Sequence, residues 1–260
     1  MRPLDDIVDG GRYPLADAAF RDACRKTLEE AGALLLPGFL RPVATAEILR
    51  EARAKQDQAY FCIQNHNVWL TPPDPACAAD HPRNREVVSS KGCITDDQVS
   101  RDSPLRLLYD APAFRDFLCA VLGEAALHPY ADPLSSINLH YARPGQELGW
   151  HFDNSSFAIT LMIRPAEAGG AFEYVPAMRD ADAGEMNEDG VAGVLEGRIR
   201  PERLVMEAGT LTMFRGRDAI HRVAPVEGRE TRVLAVLAWN SAPGIALSES
   251  ARMTFFGRLG

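Results

Sequence analysis

Gly149-Trp150-His151-Phe152-Asp153-Asn154 sets an imidazole and a carboxylate two positions apart. In extended backbone, alternate side chains leave on the same side, so His151 and Asp153 point in one direction. The apolar run 157–163 follows and reads as a strand. A second imidazole, His221, comes after a tight turn, Arg215-Gly216-Arg217-Asp218, and opens another β-patterned run, His221-Arg222-Val223-Ala224-Pro225-Val226. Two histidines and one carboxylate on one face of a metal form the triad that holds Fe(II) and leaves the opposite positions open.

Arg232 begins the apolar run Arg232-Val233-Leu234-Ala235-Val236-Leu237. A guanidinium buried in such a strand needs an anion. A dicarboxylate that chelates the metal at one end would supply that anion at the other. Arg suits the task because it can hold a carboxylate through two parallel hydrogen bonds. The competing reading is an ordinary ion pair with Glu227 or Glu230. Arg229 is the rival anchor, although its place beside Gly228 suggests an exposed turn.

Working outward, the chain from 134 onward is a succession of short β-runs separated by Gly and Pro. Strand candidates lie at 136–141, 158–164, 171–175, 210–214, 222–226 and 231–239. Their succession predicts a mainly β fold with flanking helices, a double-stranded β-helix of the jelly-roll, cupin-like kind. Helical periodicity marks 20–31, with Gly32 as its stop, and 113–122. Pro42 suits the first turn of a helix reaching about 59. The stretch 61–103 reads as irregular and lid-like, and the acidic insert 176–202 as a surface excursion near the mouth. The expected organisation is a single domain over 1–260, with a helical flank and lid loop in 1–130 and the β-helix core in 131–260.

Composition narrows the function. At 46% hydrophobic and 25% charged residues, the 260-residue chain can bury a sizeable core. A net charge of −8 argues against a nucleic-acid partner, which needs a basic face. The opening Met1-Arg2-Pro3-Leu4-Asp5-Asp6 has no signal-peptide pattern, and no apolar stretch is long enough for a membrane span. The five cysteines form no CxxC pair and suit a reducing compartment, so the expected location is the cytoplasm. His66 and His81, with Cys62 and Cys77, match no zinc spacing.

The set His151-Phe152-Asp153, Gly169-Gly170-Ala171-Phe172-Glu173-Tyr174, Gly209-Thr210-Leu211, His221-Arg222-Val223 and Arg232-Val233-Leu234 resembles the Fe(II)/2-oxoglutarate-dependent dioxygenases over 136–239. The resemblance implies a double-stranded β-helix, Fe(II) on His151, Asp153 and His221, 2-oxoglutarate anchored by Arg232, and O2 as oxidant. Trp150-His151-Phe152 and the 169–176 run are also similar to the group containing free-amino-acid radical halogenases and their hydroxylating relatives. In the halogenases a small residue replaces the metal-binding carboxylate. Asp153 fills that position here, so the resemblance implies a hydroxylase.

The expected substrate is a small molecule, a free amino acid or related amine metabolite, hydroxylated at an unactivated C–H. Candidate contacts are Asn154 beside the triad, Asn138 and His140 on the preceding strand, and Arg83 and Arg85 in the loop. Trp69, Trp150 and Trp239 read as core or wall. Two other readings compete: a non-catalytic cupin-like metal-binding protein, and an oxygenase or demethylase acting on a protein side chain.

Overall fold

Strict alternation along the strands decides the architecture. The computed structural model describes residues 3–260; Met1 and Arg2, part of the opening read for a signal peptide, lie outside the described residues. The strands are β1 (Ala33–Leu36), β2 (Tyr60–His66), β3 (Val87–Ile94), β4 (Ile137–Ala142), β5 (Leu148–His151), β6 (Ala158–Arg164), β7 (Ala168–Gly169), β8 (Phe172–Val175), β9 (Glu202–Leu204), β10 (Leu211–Phe214), β11 (Ile220–Val223), β12 (Val226–Glu227) and β13 (Arg232–Leu237). The helices are α1 (Ala18–Ala31), α2 (Pro42–Lys55), α3 (Pro104–Asp110), α4 (Pro112–Leu122), α5 (Glu188–Leu195) and α6 (Glu249–Phe256).

One antiparallel sheet runs in the order β1-β10-β6-β13-β4-β3-β5-β11-β8-β9, with β2 added alongside β3. It curls into the expected jelly roll. One face carries Leu139 and Tyr141 of β4, Ile159, Leu161 and Ile163 of β6, Leu211 and Met213 of β10, and Val233, Ala235 and Leu237 of β13. These side chains form one cluster with Leu28 of α1, Ile48 of α2, Leu105 and Leu108 of α3, and Phe114 and Phe117 of α4. Each such buried side chain is worth about 1.5–3 kcal/mol. The intervening residues, Asn138, His140, Thr160, Met162, Thr212, Arg232 and Leu234, are thereby turned to the opposite, concave face. The polar residues of the pattern are thus gathered on one side.

The helix ends follow local chemistry. Asp17 accepts from the Phe20 amide to start α1, and Gly32 at φ 70° ends it. Pro42 occupies the first turn of α2.

Three readings of the sequence are corrected. The stretch 61–103 is not irregular throughout, because β2 and β3 pair along its ends from Tyr60↔Cys93 to His66↔Val87. Polar residues run consecutively in both strands, Gln64-Asn65-His66 and Ser89-Ser90-Lys91, so the apolar period-two signal is missing. With β1, these strands carry the first 130 residues into the sheet. The insert around 176–202 is also more than a surface excursion: Val191 and Val194 of α5 pack with Val68, Trp69, Trp150 and Phe152. Finally, the strand expected at 222–226 is β11, which starts at Ile220 and includes His221. Among the described residues, no helix is long and apolar enough to cross a membrane.

Candidate metal centre

β5 and β11 pair so that His151 stands opposite His221. Leu148 faces Val223 in the same ladder, so Gly149 and Trp150 together oppose Arg222 alone. This bulge turns His151 and Leu148 to one face despite their odd spacing. Trp150 goes to the other side, into the α5 cluster. Gly149 is needed there because a Cβ would come within 2.7 Å of the Val88 carbonyl oxygen. Just beyond the strand, the Asp153 amide donates to Gly216 O at 2.9 Å, which holds the carboxylate under the Arg215–Asp218 turn.

The three side chains converge. Asp153 Oδ1 lies 3.7 Å from His151 Nε2 and 3.5 Å from His221 Nε2. All three donor atoms fall within 4.8 Å of one another, close enough for a single ion to touch each. His151 Nδ1 donates to Gly149 O at 2.7 Å and His221 Nδ1 to Ala219 O at 3.0 Å. A carbonyl only accepts, so these bonds place the proton on Nδ1 and leave each Nε2 lone pair aimed at the centre. Burial, and then the nearby His221, push His151 down to about 3. Burial alone would raise Asp153, but the neighbouring His221 ring, with smaller help from His151 and Lys91, brings it below the usual carboxylate range. The result is a neutral imidazole beside an anionic oxygen, the protonation pattern a divalent cation requires.

Neighbouring groups fix the rings. Phe172 stacks on His221 with centroids 5.4 Å apart, and Phe214 meets it edge-on at 4.8 Å. Glu173 receives Arg222 through Nε at 2.8 Å and Nη2 at 2.7 Å, and Arg203 at 2.8 Å. Arg222 in turn lies 4.8 Å over the Trp150 ring. These contacts bind the strands on either side of the donors.

Arg232 lies on the concave face and is 5% exposed. Its Nε is buried with no hydrogen-bond partner, and it forms no ion pair among the described residues. Burial lowers it to about 10, which leaves it charged near neutral pH. The bland reading fails in its particulars, since Glu230 is engaged by Arg164 and Arg53, and Glu227 is exposed on β12. Arg229 is exposed as the turn suggested, with its amide bonded to Glu167. A cavity of about 200 Å³ reaches Arg232 past Met162, Gly170 and Phe172, so it runs from the guanidinium to the ring that stacks on His221.

A second cavity, of about 250 Å³, holds His151 and Asp153 and is walled by Gln64, His66, Ser89, Lys91, Asn154 and Phe255. Of the expected substrate contacts, Asn154 is at this mouth. His140 lies deeper, lining a small space with Arg232, where burial and then the Lys91 and Arg232 charges hold it well below the ordinary histidine range. Asn138 donates to Leu134 O and Ile137 O, so its amide is used by its own strand entry. Arg83 and Arg85 are not brought to the cavity. Arg83 lies over Trp69 and 3.8 Å from Glu188, while Arg85 reaches Leu195 O at 3.4 Å, so both brace α5.

Sequence reasoning missed four contributors to the mouth. His66 meets His151 edge-on at 6.1 Å and is held by Asn67 O and Ser89 Oγ. Lys91 lies on β3, and Leu247 and Phe255 come from the C-terminal segment. No local signal marked the first of these, since Cys62-Ile63-Gln64-Asn65-His66 shows no apolar–polar alternation.

The family model described as Halogenase D matches residues 18–253. The chain belongs to the Halogenase D family. No curated protein matches the sequence. Similar solved structures include a 2OG-Fe(II) oxygenase family oxidoreductase from Burkholderia pseudomallei, at 15% identity over 86% of this chain and 92% of that one, with a TM-score of 0.53. A prolyl-4-hydroxylase from Pseudomonas putida matches at 15% identity over 84% and 97%, with a TM-score of 0.53. The epimerase SnoN from nogalamycin biosynthesis, in complex with Fe3+ and alpha ketoglutarate, matches at 16% identity over 86% and 84%, with a TM-score of 0.58. This Halogenase D family member therefore has the fold of the 2OG-Fe(II) oxygenases, as the sequence resemblance implied. The two imidazoles with one carboxylate, and the orphaned Arg232 across the same concave face, fit iron and 2-oxoglutarate.

Proposed function

We propose that the chain is an Fe(II)/2-oxoglutarate-dependent oxygenase that hydroxylates an unactivated C–H of a small molecule, a free amino acid or related amine metabolite. In this reading His151, Asp153 and His221 bind the iron and Arg232 binds the distal carboxylate of 2-oxoglutarate. The observation that carries it is the buried, unpaired Arg232 on the same concave face as the triad. Such a cation is costly until an anion meets it, and a cupin-like metal-binding protein would have no use for it.

Iron with 2-oxoglutarate and O2 supplies the oxidant for C–H cleavage when bound there. The protein's share is positioning and exclusion. Gly149 O and Ala219 O hold both imidazoles with Nε2 forward, and Phe172 and Phe214 keep His221 from rotating. Asn154 and Gln64 offer hydrogen bonds to a substrate in the mouth, and the apolar surfaces of Leu70, Leu247 and Phe255 limit water.

The family description favours halogenation as a second reading. Asp153 weighs against it, because its carboxylate takes the place a halide would need. The mouth, about 250 Å³, has room for a small molecule. The free cysteines support a cytoplasmic site of action. The test is to incubate the protein with Fe(II), ascorbate and 2-oxoglutarate and screen amino acids and amines for substrate-stimulated succinate release. A succinate-coupled product carrying one added oxygen supports hydroxylation, and a chlorinated main product overturns it.

A further inference from the structure

His66 lines the mouth beside His151, yet neither of its ring nitrogens is free for a molecule bound there. Nδ1 lies 2.9 Å from Asn67 O, and Nε2 lies 2.7 Å from Ser89 Oγ. A carbonyl only accepts, so in the neutral ring the proton sits on Nδ1 and Nε2 takes the Ser89 hydroxyl hydrogen. Ser89 Oγ in turn accepts the Gly149 amide at 3.0 Å, and Gly149 O accepts His151 Nδ1 at 2.7 Å. An unbroken series thus runs from Asn67 to the first imidazole of the donor set. Its far end is rigid: Asn67 is buried, its Oδ1 accepts the amides of Trp69 and Thr71, and its Nδ2 donates to Thr71 O at 2.8 Å.

The two imidazoles are supported differently. His221 is stacked by Phe172 and met edge-on by Phe214. Among the described residues, the ring contacts of His151 are with His221 and, edge-on at 6.1 Å, with His66. No phenyl ring holds it, so its direction depends on the Gly149 carbonyl. Gly149 lies in the bulge, where the regular ladder does not fix that carbonyl. Ser89 pins the glycine from β3, and His66 orients the hydroxyl by offering it an acceptor.

We propose that His66 and Ser89 are positioning residues, which aim the Gly149 carbonyl and through it fix the tautomer and direction of His151 toward the metal. His66 serves the centre without a polar atom turned to metal or substrate. This rests on the metal-site reading above and extends it to two residues outside the donor set.

Long-range 1H–15N NMR of the metal-free protein at about pH 8, where an ordinary histidine is neutral, reads the tautomers directly. Anaerobic Fe(II) titration reads the consequence. In the wild type His66 and His151 should both carry the proton on Nδ1. Ser89→Ala, and His66→Phe, which keeps an aromatic ring against His151, should each leave His151 a mixture of tautomers. Each should weaken Fe(II) about tenfold, the smaller end of what losing a ligand's outer partner costs. His66→Gln, whose amide can donate to Asn67 O and accept from Ser89, should restore both readouts. A merely structural role would lower the melting temperature of Ser89→Ala and His66→Phe while leaving the His151 tautomer and iron affinity as in the wild type, and that result overturns the proposal. So does a wild-type His66 protonated on Nε2 alone. Should Ser89→Ala fail to fold, the two His66 variants carry the same test. No Fe(II) binding by the wild type would instead remove the metal reading on which the proposal rests.

Discussion

Gly216 lies directly against the Asp153 carboxylate, and a Cβ added there would overlap its oxygen. The same glycine accepts the Asp153 amide through its carbonyl. The third donor is thus held from outside its own strand, by a turn in which even one methyl group is too many. Gly216→Ala should displace the carboxylate and weaken iron binding about 10- to 100-fold, as loss of a ligand's support does. Anaerobic Fe(II) titration measures this, with His151→Ala and His221→Ala as the stronger losses. Wild-type iron affinity in Gly216→Ala would separate Asp153 from the metal.

Arg232 leads to a contrast between stability and binding. A partnerless buried cation opposes folding, so Arg232→Met should leave the melting temperature of the apo protein unchanged or raise it. In the iron-loaded wild type, 2-oxoglutarate at about a hundred times its Kd should stabilise by about 2.7 kcal/mol, roughly 5 °C or more in Tm. That shift should vanish in Arg232→Met. Arg232→Lys should weaken 2-oxoglutarate more than iron, because a point charge replaces a fork. If Arg229→Ala removed the shift and Arg232→Met did not, the anchor would be Arg229.

The parts legible in the sequence were those whose signal is local. His151 and Asp153 lie two apart, and β6 and β13 are short apolar runs rich in Ile, Val and Leu, so their places could be read directly. The mouth was less legible because it is assembled from distant pieces. Arg83 and Arg85 looked like loop cations free to grip a substrate, but the packing of α5 against Trp69 and Trp150 puts carboxylate and carbonyl partners beside them. Lys91 and His66 sit on strands whose concave faces are polar, which hid those strands. The bulge at Gly149 and Trp150 could not be read either, since it exists only relative to Arg222 on the partner strand.

Protons compete with iron for both imidazoles. Burial and the neighbouring His221 hold His151 at about 3. A histidine lowered in this way resists protonation, so between pH 7 and pH 5 it stays neutral and remains a ligand. Asp153, lowered as well, stays ionised across that window. The ring NMR signals of His151 in the metal-free protein should therefore not move between pH 7 and pH 5, and a titration of that ring within this window would contradict the assignment.

Asp153 also sets the expected product. With its carboxylate in the donor set, a reaction run in abundant chloride should give a product with one added oxygen by mass spectrometry. Asp153→Gly opens the position but does not by itself make a halogenase, because selectivity also depends on where the substrate lies and on the groups around the donors. A chlorinated main product from the unaltered protein would contradict the assignment of Asp153.

The central claim is that one concave face holds iron at His151, Asp153 and His221 and 2-oxoglutarate at Arg232. Its most direct test is an anaerobic titration of the purified chain, first with Fe(II) and then with 2-oxoglutarate, followed by visible absorption. The expected result is one iron per chain, then one equivalent of 2-oxoglutarate producing a charge-transfer band that neither component gives alone and that Arg232→Met fails to develop at the same concentration. Stoichiometric iron with no band at saturating 2-oxoglutarate would contradict it.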